Sequence, residues 1–118
     1  MKEIKVFEQV ANGEKQVKIP ADVICAYIKS RRNGNELLNF DDCLWNEYVP
    51  LISDALVENG ITEFTISSTF SSLIPILALF EKAGWSMLGI VTVNASYKSF
   101  MSGEWERIPA IKMVRKEA

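Results

Sequence analysis

The sequence predicts an α+β fold, a single domain in which three N-terminal helices precede a βαββ unit with a small three-stranded mixed sheet. Apolar residues recur at helical spacing over residues 1–60 and change to strand-like alternation within residues 61–118. No repeat, linker or low-complexity stretch separates these two parts. A length of 118 residues with 48% hydrophobic content suits one domain with one core. Residues 1–118 are therefore expected to fold as one unit.

The first predicted helix covers residues 2–11. Ile4, Phe7 and Val10 recur at helical spacing before an Asn-Gly pair, which can end a helix. Asn-Gly is also the strongest short hairpin turn, so two strands across residues 2–19 are the alternative. The helix is preferred because the apolar residues do not alternate strictly.

A second helix is predicted from Pro20 to the Asn-Gly pair at residues 33–34. Proline is tolerated in the first turn of a helix, and glycine can adopt the left-handed conformation that ends one. The apolar stripe between them consists of Val23, Ile24, Tyr27 and Ile28.

The third predicted helix begins with Asn39 as its cap and ends at the Asn-Gly pair of residues 59–60. The negative charges of Asp41 and Asp42 suit the first turn of a helix. Pro50 lies inside the predicted helix, so a kink or a break is expected there. The apolar stripe consists of Trp45, Tyr48, Val49, Ile52, Ala55 and Leu56.

The βαββ unit begins after Ile61. A short strand with Phe64 and Ile66 is followed by the segment LIPILALFEKAG, residues 73–84, which predicts a helix that is apolar on nearly all sides. Such a helix needs cover on both sides, so it is expected to lie buried between the sheet and the N-terminal helices. The first two strands of the unit, joined by this crossover helix, should be parallel with a right-handed connection.

The second and third strands of the unit are predicted over residues 85–93 and 108–114, as an antiparallel pair with a long connecting loop. Pro109 suggests an edge position or a bulge near the start of the third strand. Alternation predicts one face of the second strand with Trp85, Met87, Val91 and Val93, and an opposite face with Leu88, Ile90 and Thr92.

The composition disfavours several kinds of chemistry. The chain has no histidine, which is the commonest general base and metal ligand. Cys25 and Cys43 have no zinc or redox spacing and are expected to be reduced core thiols. The carboxylates of the third predicted helix are not spaced so that three of them share one face, as a divalent metal site would require. No metal site, cofactor or catalytic residue is therefore expected.

Charge and hydropathy limit the partners and the location. Thirteen basic and fifteen acidic residues give a net charge of −2 and are scattered along the chain, so nucleic acid is not expected as a primary partner. No apolar run is long enough to span a membrane, and the N-terminus lacks the apolar run of a signal peptide. We expect a soluble, cytoplasmic protein without a membrane partner.

A cluster of hydroxyl side chains lies where the first strand of the unit meets the crossover helix. It consists of Ser67, Ser68, Thr69, Ser71 and Ser72. The N-terminus of a helix can bind an anion, and hydroxyls would add donors. Loops that bind phosphate in this way are rich in glycine, whereas this turn has neither glycine nor lysine. Helix capping by Ser67 or Ser68 is therefore preferred, and an anion site at Ser67, Ser68 and Thr69 is the alternative.

The loop NASYKSFMSGEWER, residues 94–107, is the first choice for a functional surface. It is longer than a hairpin needs, and it carries residue types that are enriched at binding hot spots. The expected partner-binding residues are Tyr97, Lys98, Phe100, Trp105 and Arg107. Two other interpretations remain: the side chains could fold back as a satellite core, or the two strands could extend through Tyr97 and Trp105.

Four segments resemble a known family: GNELLNFDDCLW, EFTISSTFSSLIPILALFEKAG, VNASYK and GEWERIPAIKM. The family is one of uncharacterised small proteins common in gut Firmicutes and often carried by plasmids, phages and conjugative elements. Its pattern has tryptophan where Phe100 stands and an acidic residue where Pro75 stands. The resemblance implies an accessory role on mobile DNA, for which blocking of a host defence, as anti-CRISPR proteins do, is one form.

These observations lead to two hypotheses of different kinds. The first is a non-enzymatic accessory protein that binds a protein partner through residues 94–107 and the adjoining sheet edge. The second is a small phosphate- or nucleotide-binding enzyme that uses the hydroxyl cluster. The same loop and edge could also form a homodimer.

Overall fold

The computed structural model describes residues 4–14, 19–41, 46–67 and 73–116. Within these residues it contains four α-helices, a 3-10 helix and a four-stranded sheet. In chain order the elements are α1 (Lys5–Ala11), α2 (Ala21–Asn33), β1 (Asn39–Phe40), the 3-10 helix (Asn46–Tyr48), α3 (Val49–Glu58), β2 (Glu63–Ile66), α4 (Leu73–Lys82), β3 (Trp85–Lys98) and β4 (Trp105–Arg115). The mixed α+β class is confirmed, with one more strand than predicted.

Helices α1 and α2 confirm the first two predicted helices. They pack together through an edge-to-face contact of Phe7 with Tyr27, whose ring centroids are 5.7 Å apart. Tyr27 Oη donates a 2.6 Å hydrogen bond to Glu8, and Arg31 forms an ion pair with the same carboxylate. Since residues 5–11 are helical, the alternative hairpin is wrong for the described part of this segment.

The prediction of a core thiol is wrong for Cys25. Its thiol is free and exposed, because the buried side of α2 is formed by Val23 and Tyr27, about half a turn away from it on the helix. Cys43 lies outside the described residues.

The predicted start of the third helix is wrong. Asn39 and Phe40 form the short strand β1, which pairs in parallel with Thr65 and Ile66 of β2. The side chain of Asn39 accepts a 2.6 Å hydrogen bond from Thr65 Oγ1, so it is used between strands and does not cap a helix. Helix α3 begins only at Val49.

Pro50 therefore lies in the first turn of α3 and not in the interior of a longer helix. A proline there costs no intrahelical hydrogen bond, because the first N–H groups of a helix have no partner within it. The break that the sequence predicts near Val49 is confirmed, since the 3-10 helix ends at Tyr48 and α3 begins at Val49.

The sheet has the strand order β1-β2-β4-β3. β4 runs antiparallel to both β2 and β3, so β2 and β3 have the predicted common direction but are not neighbours. The predicted antiparallel pairing of the last two strands is confirmed. β4 pairs with β2 only over residues 111–114, so Pro109 lies beyond the end of β2, where β4 has β3 as its one strand neighbour. Proline suits such an open position.

The predicted faces of β3 are wrong because the strand contains a bulge. The register against β4 shifts after Met87, where Leu88 is an extra residue. Side chains alternate along a strand, so one extra residue moves those that follow to the other face. Met87 consequently shares its face with Ile90 and lies opposite Val91 and Val93.

The core lies between the sheet and the helices and is centred on Phe64. The rings of Phe40, Phe80 and Trp85 surround it, with centroids 5.5, 5.1 and 4.9 Å from its own. The Trp85 indole N–H donates a 2.9 Å hydrogen bond to Ser53 on α3, so the buried ring leaves no polar group without a partner.

The prediction that the crossover helix is covered on both sides is wrong. Only one side of α4 enters the core, through the buried residues Ile76 and Phe80. The opposite side carries Ile74, whose surface is 77% exposed. The apolar composition of α4 therefore exceeds what its packing within the described chain requires.

Candidate functional site

The candidate site is the far end of the hairpin formed by β3 and β4. The two strands extend to Lys98 and Trp105, which pair with each other, so the interpretation of extended strands is confirmed. A short turn of residues 99–104 joins them. It is closed by hydrogen bonds from Ser99 N to Glu104 O (2.7 Å) and from Gly103 N to Ser99 O (2.9 Å).

Three large side chains at this end are open to solvent. Phe100 is 100% exposed, Met101 is 91% exposed and Tyr97 is 59% exposed. A fully exposed ring cannot belong to a satellite core, so that interpretation is wrong for Phe100. We call residues 97–105 the hairpin tip.

The base of the hairpin tip is held by a contact between a cation and an aromatic ring. Lys98 Nζ lies 5.1 Å from the centroid of the Trp105 ring across the strand pair. Such a contact contributes about 0.5–1 kcal/mol at an exposed site. It covers part of the indole, so Trp105 is half-buried whereas Phe100 is not.

Arg107 supports the hairpin from within and does not extend to its end. Its guanidinium donates to Asn94 Oδ1 (2.7 Å) and to the carbonyl of Thr92 (3.1 Å). Both partners are on β3, opposite Arg107. The N–H donors of the Arg107 guanidinium therefore form hydrogen bonds between β4 and β3 and hold these strands together.

An asparagine clamp anchors the hairpin to the end of α2. Asn35 Oδ1 accepts from the backbone N–H of Asn94 (2.8 Å), and Asn35 Nδ2 donates to the Asn94 carbonyl (3.0 Å). The Asn94 side chain in turn donates to the carbonyl of Asn33 (2.7 Å). Asn33 and Asn35 are both buried. We use the name asparagine clamp for Asn33, Asn35 and Asn94.

Gly34 makes the asparagine clamp geometrically feasible. It ends α2 in the left-handed conformation, with φ of 74°, which glycine adopts without the steric cost that a side chain brings. The chain thereby turns so that Asn33 and Asn35 both reach β3. The amide group of Asn35 takes the place of a neighbouring strand at Asn94, and residues 85–93 have β4 as their one strand neighbour among the described residues.

Sequence reasoning missed the asparagine clamp because each part of it has a simpler local explanation. In the sequence, the Asn-Gly pair at residues 33–34 indicates only the end of a helix. The one available signal is Asn94 itself, since asparagine is depleted in strands.

The hydroxyl cluster is described only at Ser67. Its Oγ lies 3.0 Å from Asn39 Nδ2 and accepts a hydrogen bond from it. Ser68, Thr69, Ser71 and Ser72 lie outside the described residues, so helix capping and the anion site both remain predictions. Ser67 lines a cleft of about 650 Å³ at the carboxyl ends of β1 and β2.

The carboxylate at this cleft already has a basic partner within the protein. Asp41 lines it and forms an ion pair with Lys29, with the Nζ and Oδ2 atoms 3.1 Å apart. Ser96 Oγ also donates to Asp41 at 3.3 Å. A carboxylate at the wall disfavours an anion unless further donors outweigh it.

The described residues hold neither a cluster that could bind a metal ion nor a helix that could cross a membrane. No group of three or more acidic or cysteine side chains lies close enough to hold a metal ion in the part of the chain described. None of the described helices combines the length and the apolar character needed to cross a membrane.

Comparison with known proteins identifies the family. The model of a domain of unknown function, DUF7698, matches residues 22–115, and the chain therefore belongs to this family. The match includes the hairpin, the asparagine clamp and the whole sheet. No curated protein matches the chain.

Proposed function

We propose that this member of the DUF7698 family is a protein-binding accessory protein without enzymatic activity, and that it holds its partner with the hairpin tip. The observation that carries the proposal is the complete exposure of Phe100 on an anchored hairpin. Phenylalanine and methionine are among the residue types enriched at protein interfaces, where a few buried anchors contribute most of the binding energy. Phe100 buries none of its surface against the described part of the chain, so nothing there offsets its unfavourable contact with water.

The anchoring of the hairpin supports the same proposal. Binding costs less free energy when the binding segment is already ordered. Arg107 and the asparagine clamp fix both strands, and the Lys98–Trp105 contact fixes the base of the tip. Phe100 and Met101 are then presented by a rigid support. In this proposal Tyr97, Lys98, Phe100 and Trp105 touch the partner, and Arg107 acts as a positioning residue.

The wider biological setting is also proposed. The resemblance to proteins of gut Firmicutes that travel on plasmids, phages and conjugative elements suggests a cytoplasmic accessory protein of mobile DNA. Blocking of a host defence component, as anti-CRISPR proteins do, needs affinity and no catalysis. An exposed aromatic tip on a small domain suits that task.

The test is affinity purification from the native host with three forms of the tagged protein. The wild type is compared with Phe100→Ala/Met101→Ala and with Ile74→Ala, which removes an exposed apolar side chain on α4, away from the tip and from the sheet edge. We expect the tip variant to lose its partner at least tenfold, because a central aromatic anchor contributes about 2 kcal/mol or more. The Ile74 variant should retain it.

Unchanged recovery with the tip variant would contradict the proposal. So would equal losses in both variants, since that would indicate general apolar adhesion. The second form of the test, Tyr97→Ala/Trp105→Ala, asks whether the flanking aromatic side chains take part. Circular dichroism confirms that each variant is folded.

The phosphate- or nucleotide-binding enzyme is the second candidate: the cleft beside Ser67 offers space for a ligand, whereas the Asp41 carboxylate at its wall counts against an anion. Thermal shift measurements with nucleotides and phosphate esters distinguish the two candidates. Stabilisation by one of them would favour the enzyme, whereas no shift across the panel would count against it. Light scattering coupled to size exclusion shows whether the tip serves a homodimer.

A further inference from the structure

A second surface shares no residue with the hairpin tip. It is a groove of about 600 Å³ between the start of α2 and the outer side of α3. Its apolar walls include Ile19 and Pro20 on one side and Tyr48 and Leu51 on the other. Leu51 is 58% exposed and Tyr48 is 44% exposed, so large apolar side chains stand open at its mouth.

The charged residues that line this groove in the described part of the chain all have one sign. Asp22, Asp54 and Glu58 line it, and no described lining residue is a lysine or an arginine. None of the three carboxylates forms an ion pair within the described part of the chain. Residues 46–60, which include α3, carry three acidic residues and no basic one.

Helix stabilisation does not account for this pattern. Asp22 lies in the first turn of α2, where the helix dipole favours a negative charge. Glu58 is the last residue of α3, where the dipole disfavours one. Asp54 and Glu58 are also four residues apart on one helix, a spacing at which like charges repel.

Burial adds to the cost of the negative charge at Asp22. Desolvation raises the pKa of Asp22 above its ordinary value, because its carboxylate loses water without gaining a basic partner in the described chain. A cation brought to the groove would offset that loss. The groove thus combines apolar walls with carboxylates that lack partners among the described residues.

The geometry points to a cationic amphipathic helix of another protein as the occupant of this groove. Its apolar side would lie on Leu51 and Tyr48, and its lysine or arginine residues would pair with Asp22, Asp54 and Glu58. Complementary charge of this kind sets both the orientation and the rate of association. A helix fits better than a strand, because the groove is lined by helical elements and the two residues leading into α2, and none of its described lining residues belongs to a strand.

The size of the groove agrees with that occupant. α3 has ten residues and is therefore about 15 Å long. A parallel or antiparallel helix of three turns would match this length and would present apolar residues at i, i+3, i+4 and i+7. The groove is distinct from the hairpin tip, so the inference does not depend on the proposed function.

The test uses a synthetic 18-residue peptide with one leucine face and one lysine face, labelled for fluorescence anisotropy. A peptide of the same composition in scrambled order controls for charge alone, and a version with glutamate in place of lysine controls for the apolar face. We expect binding of the first peptide only, with weakening as salt is raised. Amide shifts in NMR spectra should map to residues 19–22 and 48–58.

Two charge-reversal variants make the test specific. Asp54→Lys/Glu58→Lys changes the groove, and Glu81→Lys/Glu104→Lys changes the net charge equally at exposed positions elsewhere. The groove variant should bind at least tenfold more weakly, and the control within twofold of the wild type. Leu51→Ala, at an exposed position, should weaken binding without loss of the fold.

Four outcomes would overturn the inference: absence of binding, equal binding of the scrambled peptide, equal effects of the two charge reversals, and shifts confined to the hairpin tip. Self-association that Leu51→Ala abolishes would also overturn it, because the groove would then be occupied by a second copy of the chain.

Discussion

The side-chain amide of Asn35 occupies both backbone groups of Asn94, which a neighbouring strand would otherwise pair. Asn35→Asp keeps the acceptor for the Asn94 N–H but removes the donor for its carbonyl and buries a negative charge. We expect a loss of about 1–3 kcal/mol in the free energy of unfolding at pH 7. The loss should shrink at low pH, because a protonated carboxyl can again donate to the carbonyl.

Urea denaturation monitored by circular dichroism at pH 7 and pH 4 measures the effect of Asn35→Asp on the free energy of unfolding. Asn12→Asp, at an exposed position on the turn after α1, is the matched control and should change the free energy of unfolding by a few tenths of a kcal/mol at most. Equal effects of the two substitutions would show that the clamp contributes nothing to stability.

Asp22 makes the stability of the folded protein depend on pH, in a direction that follows from its raised pKa. Its pKa in the folded protein is raised by desolvation, so the folded state binds more protons than the unfolded state as the pH rises past the ordinary pKa of an aspartate. Stability contributed by this group is therefore present at low pH and is lost as the pH rises through the folded pKa. We expect Asp22→Asn to gain stability relative to the wild type over that interval. A relative loss would mean that the helix dipole outweighs desolvation.

At the scale of elements, local signals predicted what local interactions determine. α1 and α2 follow from apolar spacing and the Asn-Gly pairs that end them. β1 could not be predicted in this way, since two residues carry no periodicity and Asn39 becomes a strand residue only through its contact with Thr65, 26 positions away. The bulge at Leu88 is equally hidden, because it is defined by the register with β4.

The candidate site likewise has one part that local signals predict and another that contacts between distant residues determine. The residue types of the segment 94–107 indicated a binding surface, and Phe100, Met101 and Tyr97 are indeed exposed there. Whether the segment is a loose loop or an extended hairpin depends on contacts with Asn33 and Asn35, about 60 positions earlier in the chain. The sequence places Arg107 among the expected binding residues, because its hydrogen bonds to Asn94 and Thr92 become visible only in the folded hairpin.

For the whole molecule, the structure separates the residues that hold the fold from those that are available for binding. Phe64 has contacts with three aromatic rings and is fully buried, whereas Phe100 is fully exposed. Substitution by alanine should therefore reduce the stability at one position and leave it unchanged at the other. Phe64→Ala should lower the free energy of unfolding by about 3–5 kcal/mol through loss of burial and the cavity that it leaves.

Phe100→Ala should leave thermal stability unchanged within the error of the measurement, because no buried surface is lost. Differential scanning calorimetry of both variants beside the wild type checks the pair. A small domain has only about 5–15 kcal/mol of stability, so the Phe64 variant is expected to melt far below the wild type or to be partly unfolded. A clear loss of stability in the Phe100 variant would mean that the hairpin tip packs against the protein in solution, and that its aromatic ring is then not free to anchor a partner.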